Sequence, residues 1–331
     1  MEFLLSNKAV LKKLPALSPN GIEISSSAKP FIEANTKQVF IDELQSHIIP
    51  VWTATNEPLI SHSEFIETIW EVTHELFRGE KILKPNIRCS HPVKGRIPEA
   101  KNKPACELQP WEETLFYERM MFVVEIPTIS EKVNCDTLNL MLGGVKSYNI
   151  DNIYAKRTQC EQNFKLFIGF QNKICCNLCV WSDGFKEEIS IKSISQLYYA
   201  AQNLFSSFNA KNYLDPIKDM GNIEVTETDF AKIIGRSRMY KYMPEKYKKE
   251  IPPLLFGDQQ MGAVVNSYYN DENFGLPYGG SMALYKLYNL LTGANKSSYI
   301  DAFLERGINA FDFSMGVLDH KQNRKQFWYL G

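Results

Sequence analysis

Residues 164–191 read FKLFIGFQNKICCNLCVWSDGFKEEISI, and this stretch carries the strongest fold signal in the chain. Its first part, 164–181, is long, aromatic and rich in cysteine, as is typical of a buried strand. Asp183 and Gly184 separate it from a second run, 185–191. Because both positions of a two-residue Asp-Gly loop tolerate positive φ, this pair predicts a β-hairpin turn.

Two runs of alternating apolar residues precede this hairpin, at 122–126 and 138–142. An alternation of period two predicts strands that turn one face toward a core. The middle of the chain is therefore expected to form an antiparallel sheet of at least four strands.

Helical patterns flank the predicted sheet. On the N-terminal side, Thr36 is expected to cap a helix closed by Pro50, and Ser63 to cap a second helix. On the C-terminal side, apolar residues recur at i, i+3, i+4 and i+7 in 194–208, 261–268, 284–291 and 300–311. Ser298 with Asp301 predicts a capping box for the last helix. The pattern predicts an α+β fold with N-terminal helices, a central antiparallel β-sheet and a mostly helical C-terminal region.

The chain has 331 residues, which allows one large domain or two ordinary ones. Residues 1–34 mix prolines and serines without periodicity and predict an extended or mobile arm. Residues 35–191 are expected to form the α+β region. Residues 192–331 are expected to form a helical region packed against the sheet as one unit.

Composition places the chain among folded soluble proteins, with 44% hydrophobic and 23% charged residues. The N-terminus has no apolar run of the length that a secretion signal needs, and no window reaches the 18 apolar residues of a membrane helix. We therefore expect a cytoplasmic protein with no membrane partner. Seven cysteines, an odd number, favour reduced thiols over a disulfide framework.

Three of the cysteines form a cluster that suggests a zinc site, since Cys176 and Cys179 make a CxxC and Cys175 adds a third thiol. In a strand, however, Cys176 and Cys179 point to opposite faces, and Cys175 lies about 13 Å from Cys179 at about 3.3 Å per residue. Zinc needs all its sulfur ligands about 2.3 Å from one point. We therefore favour buried, packed thiols over a metal.

Other motifs of catalysis or metal binding are incomplete. A P-loop needs lysine directly after glycine, but Lys296 follows Asn295, and no Gly-x-Ser-x-Gly elbow is present. Glu99-Ala100-Lys101 has no acidic partner in a preceding strand, and a set of Cys89, His91 and Cys106 has no fourth ligand. The sequence therefore predicts no catalytic residue, no metal ligand and no cofactor.

Charge is the most informative feature of the sequence, because two basic segments stand out in a chain of net charge -1. Segment 81–105 has seven basic residues and one acidic, and segment 232–250 has seven basic and two acidic with three interleaved tyrosines. Lysine and arginine follow a phosphate backbone, and aromatic rings stack on unpaired bases. The predicted nucleic-acid contacts are Lys84, Arg88, Lys94, Arg96, Arg236, Arg238, Lys241 and Tyr242. A solvated basic face, or pairing with the acidic remainder of the chain, would explain the same segments equally well.

Several segments together resemble a family of uncharacterised proteins from phages, plasmids and integrated elements of gut anaerobes, known only as a domain of unknown function. They are HIIPVWTATNEPLISHSEFI (47–66), HPVKGRIPEAKNKPA (91–105), YERMMFVVEIP (117–127), GGVKSYNIDNIYAK (143–156), FKLFIGFQNKICCNLCVWSDGF (164–185) and YNLLTGANKSSYIDAFLERG (288–307). The chain also looks distantly like a broader phage/plasmid-like group with a Cys-x-Asn element, here 175–177. The resemblance implies a mobile element, close to DNA, and transfers no catalytic residue.

The leading functional hypothesis is a non-enzymatic, nucleic-acid-associated accessory protein of a mobile genetic element. Its expected partner is single- or double-stranded DNA, and the interleaved tyrosines suit a single strand. One alternative is an enzyme whose site is assembled only in three dimensions, around 172–184 and the polar loop 258–260. Another is a protein-interaction module that uses exposed aromatic residues.

Overall fold

A computed structural model describes residues 30–49, 59–134, 136–148, 161–173, 175–272 and 279–331. Most of the predicted N-terminal arm, and the predicted helix end at Pro50, lie outside these ranges. The described part contains ten strands, β1 Lys37–Val39, β2 Asn86–Cys89, β3 Pro92–Arg96, β4 Glu113–Tyr117, β5 Arg119–Val133, β6 Asp136–Ser147, β7 Gln162–Asn172, β8 Leu178–Ile191, β9 Glu224–Thr226 and β10 Ser281–Ala283.

Six of these strands form one antiparallel sheet in the order β1-β2-β5-β6-β7-β8. The pairs β3-β4 and β9-β10 make two small antiparallel sheets. The described helices are α1 Ile41–Gln45, α2 His62–Leu76, α3 Ile194–Ser207, α4 Lys211–Met220, α5 Glu227–Tyr242, α6 Glu245–Lys248, α7 Asp258–Asn270, α8 Leu284–Asn295 and α9 Ile300–Asn323. The predicted α+β fold with a central antiparallel sheet is confirmed.

Both faces of the central sheet are buried. Phe122 on β5 turns toward α2, where it meets the ring of Phe65 edge to face at 5.2 Å between centroids. Its neighbours Met121 and Val123 point the other way and pack in a second cluster with Phe303 from the first turns of α9. Because side chains alternate along a strand, two-sided burial explains why 120–126 of β5 and 140–145 of β6 are apolar on both faces at all but one position.

The turn between β7 and β8 lies at 172–177 and not at the predicted Asp-Gly pair. The backbone N–H of Asn172 donates to the carbonyl of Asn177 at 3.0 Å, and Cys176 adopts a left-handed φ of 57°. Gly184 instead lies inside β8, at a bulge where a Cβ would come within 2.3 Å of the Ile168 carbonyl oxygen. Glycine is needed there for close backbone approach, not for a turn.

Three predicted helix N-termini, at Thr36, Ser63 and Ser298, also differ from the structure. Residues 37–39, predicted to follow a Thr36 cap as helix, form β1 and pair with β2. The cap of α2 is Ser61, which makes a full capping box with Glu64, and not Ser63. The N-cap of α9 is Tyr299, so the predicted Ser298 box is absent. No helix in the described ranges is both long and apolar enough to cross a membrane.

Candidate functional site

The first basic segment, 81–105, runs through β2 and into the β3-β4 hairpin. Arg88 on β2 is half-buried, and its Nε and Nη2 donate at 3.3 Å to the Oγ1 and carbonyl oxygen of Thr36. Burial lowers the pKa of this guanidinium. Arg88 therefore ties β2 to the chain before β1, and two of its donors are engaged within the protein.

The β3-β4 hairpin is close to electrically balanced. Lys94 is exposed on β3, but Arg96 lies opposite Glu113 in the register and donates to the carbonyl of Lys103. Lys103 in turn pairs with Glu112. Residues 106–117 hold three glutamates and no lysine or arginine, so the returning strand offsets much of the charge that the sequence places on 81–105. Lys84 lies half-exposed between α2 and β2.

The second basic segment, 232–250, forms most of α5 and all of α6. The helix α5 begins at a capping box of Thr226 and Asp229 and buries Phe230, Ile233 and Ser237. Arg236 turns inward, because its Nη1 donates to the Trp328 carbonyl and its guanidinium lies 5.4 Å from the centre of the Trp328 ring. Arg236 thus fastens the C-terminal residues to α5.

The remaining predicted contacts of this segment lie on the outer surface. Tyr242 is 76% exposed at the end of α5, and Tyr247 is 56% exposed on α6. The ammonium of Lys246 lies 4.5 Å from the Tyr247 ring centre, and that of Lys241 lies 5.7 Å from the Tyr242 ring centre. We call the set Arg238, Lys241, Tyr242, Lys246 and Tyr247 the basic tyrosine surface.

One carboxylate approaches this surface from α7. Asp258 Oδ2 lies 2.8 Å from Lys241 Nζ, and Asp258 Oδ1 lies 3.8 Å from Arg238 Nε. The hydrogen bond from Lys241 is the main reason that the pKa of Asp258 is lowered. The sequence indicated Asp258 only as part of a polar loop, because it lies 17 positions after Lys241 and no local pattern shows the contact.

A second polar cluster surrounds the 172–177 turn at one end of the sheet. Asp136 is buried, and its Oδ2 accepts from Asn172 Nδ2 and from the Tyr285 hydroxyl, both at 2.7 Å. Asn177 Nδ2 donates to the Asn289 carbonyl at 2.9 Å, which joins the turn to α8. We call this set the turn network. It shows that polar residues of 172–177 do converge in three dimensions, with partners on β6 and α8 that the sequence did not indicate.

The cysteines beside this network are not activated. Burial raises the pKa of Cys175 to about 12 and that of Cys179 to about 11, so both are neutral thiols at pH 7. Within the part of the chain that the structure describes, no three histidine, cysteine or acidic side chains are placed to share a metal ion. The network therefore fits a structural clamp better than a nucleophilic site.

A third polar cluster lies at the start of α2 and is buried. Lys146 is buried, with its Nζ 3.1 Å from Gln162 Oε1 and 4.0 Å from the Phe164 ring centre. His62 Nε2 donates to the Tyr117 carbonyl at 2.8 Å, since a carbonyl oxygen can only accept. Burial lowers the pKa of His62 to about 3.

This buried histidine predicts a pH dependence of stability. Its folded pKa lies below the ordinary value of about 6.5, so the unfolded chain binds the proton first as pH falls. The His62 contribution is complete above about pH 6.5 and is lost toward pH 3, at about 1.4 kcal/mol per pH unit. Urea unfolding at pH 7, 6 and 5 should show a shallower pH slope for His62→Gln than for the unchanged protein. Equal slopes for the two proteins would contradict the prediction.

Comparison with protein-family models matches residues 20–330 to a family described as "Domain of unknown function, B. Theta Gene description (DUF3871)". No curated protein and no solved structure matches the chain.

Proposed function

Because the chain belongs to this family of unknown function, which supplies no activity, we propose from its geometry that it is a non-enzymatic protein that binds single-stranded DNA through the basic tyrosine surface. The observation that carries the proposal is the exposure of Tyr242 and Tyr247, each beside a lysine ammonium. A mobile-element setting is part of the proposal and rests on the sequence resemblance described above.

Two exposed rings favour a single strand over a duplex. Bases can stack on Tyr242 and Tyr247 only when they are unpaired, whereas a duplex presents its phosphates and groove edges. An exposed tyrosine keeps its hydroxyl in water and presents the face of its ring to a ligand. Both rings therefore support a ligand with flat faces.

The surrounding charge supports a polyanionic ligand. Arg238 and Lys241 are 68% and 50% exposed, and Lys246 lies on the surface beside Tyr247. In the sequence 232–250, seven basic residues outnumber two acidic ones. We leave 81–105 out of the proposed contact surface, because Arg88 and Arg96 are engaged within the protein.

The direct test is a fluorescence-anisotropy titration with labelled single- and double-stranded DNA and RNA at low and high salt. We expect single strands to bind more tightly than duplexes. We also expect the logarithm of the association constant to fall with log salt by about 0.7 for each phosphate neutralised. Failure to bind any of these nucleic acids at low salt would overturn the proposal and leave a protein partner as the better reading of the exposed tyrosines.

A charge reversal locates the surface. Lys246→Glu is expected to weaken single-strand binding about tenfold at low salt and to reduce the salt slope by about 0.7, because one phosphate contact is lost and a repulsion is added. Lys211→Glu is the matched control, since Lys211 is an exposed helical lysine on α4 that carries the same charge. Equal losses for the two variants would mean that the protein attracts DNA by its general field and not at α5-α6.

A further inference from the structure

The carboxylate of Asp258 bridges two cations of the basic tyrosine surface. One oxygen faces Lys241 at 2.8 Å and the other faces Arg238 at 3.8 Å. A phosphodiester also presents two anionic oxygens to nearby cations, so this carboxylate has the form of an internal substitute for a backbone phosphate. Its partners come from α5, whereas Asp258 itself is the first residue of α7.

The bridge is open to solvent on its outer side. Asp258 is 33% exposed, and both cations are more exposed than the carboxylate that joins them. An ion pair so exposed is weak, because water and salt screen it and two side chains must be held still. A phosphate of a bound strand can therefore take the place of the carboxylate without opening the fold.

The groups around Asp258 all belong to the proposed contact surface. Lys241, Arg238 and the Tyr242 hydroxyl are the neighbours that lower the pKa of its carboxyl, and together they outweigh the opposing effect of desolvation. The same contact raises the pKa of Lys241. At neutral pH the carboxylate is thus charged and competes with any other anion for these cations.

We propose that Lys241 and Arg238 form a phosphate-binding position for single-stranded DNA and that Asp258 occupies this position in the free protein, so that the strand must displace it. This inference rests on the proposed function and assigns Asp258 a role in setting its affinity. Loss of the competing carboxylate leaves both cations free for phosphate. The affinity for single-stranded DNA should therefore rise when Asp258 is neutralised.

The test compares Asp258→Asn with Asp319→Asn by anisotropy titration of a labelled thymidine oligomer of about twelve nucleotides. Asp319 is the matched control, because it pairs with Lys325 at 2.7 Å, is 34% exposed and lies on another helix. Each change raises the net charge by one. We expect Asp258→Asn to bind about fivefold more tightly than Asp319→Asn and to have a salt slope steeper by about 0.7. Melting curves of both variants confirm that the fold is kept.

The outcomes separate this inference from the function on which it rests. If the unchanged protein binds the oligomer and the two variants bind alike, or Asp258→Asn binds more weakly, the role of Asp258 is overturned and the surface stands. If no form of the protein binds at low salt, the proposed function fails. The variant Lys241→Met provides a second test in the same titration. It should weaken binding if Lys241 contacts a phosphate of the strand. Binding should be unchanged if Lys241 contacts only Asp258.

Discussion

Replacing both Tyr242 and Tyr247 with alanine is expected to reduce the free energy of single-strand binding by about 2–6 kcal/mol, or at least about 30-fold in the dissociation constant. Stacking of a base on an aromatic side chain contributes about 1–3 kcal/mol, and two exposed rings are removed together. The salt slope should stay unchanged, because the variant keeps every lysine and arginine of the surface. Anisotropy titration of the same thymidine oligomer measures both quantities.

The matched control for this double variant is Tyr199→Ala. Tyr199 on α3 is 56% exposed, the same fraction as Tyr247, but it lies outside α5 and α6. Circular dichroism of each variant checks that the helices are kept. If the double variant binds within twofold of the unchanged protein while Lys246→Glu weakens binding, the strand is held by its phosphates alone and the stacking part of the proposal is wrong.

The positions of β5 and β6 could be predicted, but the position of the turn between β7 and β8 could not. Alternation at 122–126 and 138–142 depends only on neighbouring residues, and both runs are strands, within β5 and β6. The Asp-Gly signal is equally local, yet Gly184 is required by the Ile168 carbonyl of the adjacent strand. A sequence shows where a glycine permits unusual backbone geometry. It does not show whether that glycine is needed for a turn or for the close approach of a neighbouring strand.

The same limit explains the N-terminal error. Residues 37–39 carry a weak helical pattern, but they pair with β2 some fifty residues later, at Cys89, Arg88 and Ile87. Strand pairing depends on a partner strand that is distant in the sequence, and local periodicity carries no information about that partner. Tertiary context has overridden local propensity at the edge of the sheet.

The candidate site could be predicted as a charge pattern but not as a surface. The number of lysines and arginines is the same in both basic segments, so the sequence indicated both equally as contact surfaces. The number does not show which of these side chains bond to other groups of the protein. Arg236 bonds to a carbonyl 92 residues away, and Arg96 lies beside a glutamate of the returning strand. Exposure then separates the outer residues of α5 and α6, which face solvent, from those that hold the fold together.

The Cys-x-Asn element, 175–177, is explained by the turn network rather than by chemistry at sulfur. Its asparagine donates to the Asn289 carbonyl, and Lys296 donates to the Cys175 carbonyl, so both contacts tie the turn to α8 and the residues after it. The thiols remain protonated because burial raises their pKa values. We interpret the element as the join between the sheet and the C-terminal helices.

Loss of the buried carboxylate in this network should have the largest effect on stability. Asp136→Ala leaves the Tyr285 hydroxyl and the Asn172 amide buried without their acceptor, and each unsatisfied donor costs about 1–3 kcal/mol. We expect the free energy of unfolding to fall by about 2–5 kcal/mol. Urea unfolding followed by tryptophan fluorescence measures the change, and Asp215→Ala, an exposed carboxylate on α4, should leave the midpoint unmoved.

A double variant tests whether Asp136 and Tyr285 stabilise the protein through their mutual hydrogen bond or independently of each other. Adding Tyr285→Phe to Asp136→Ala removes one of the two orphaned donors, so it should restore about 1 kcal/mol, whereas Tyr285→Phe alone should destabilise the protein. Additive losses would show that the carboxylate and the phenol act independently. An unmoved midpoint for Asp136→Ala would contradict the clamp altogether, and the turn network, with its converging polar groups, would then become the leading place to look for a catalytic site.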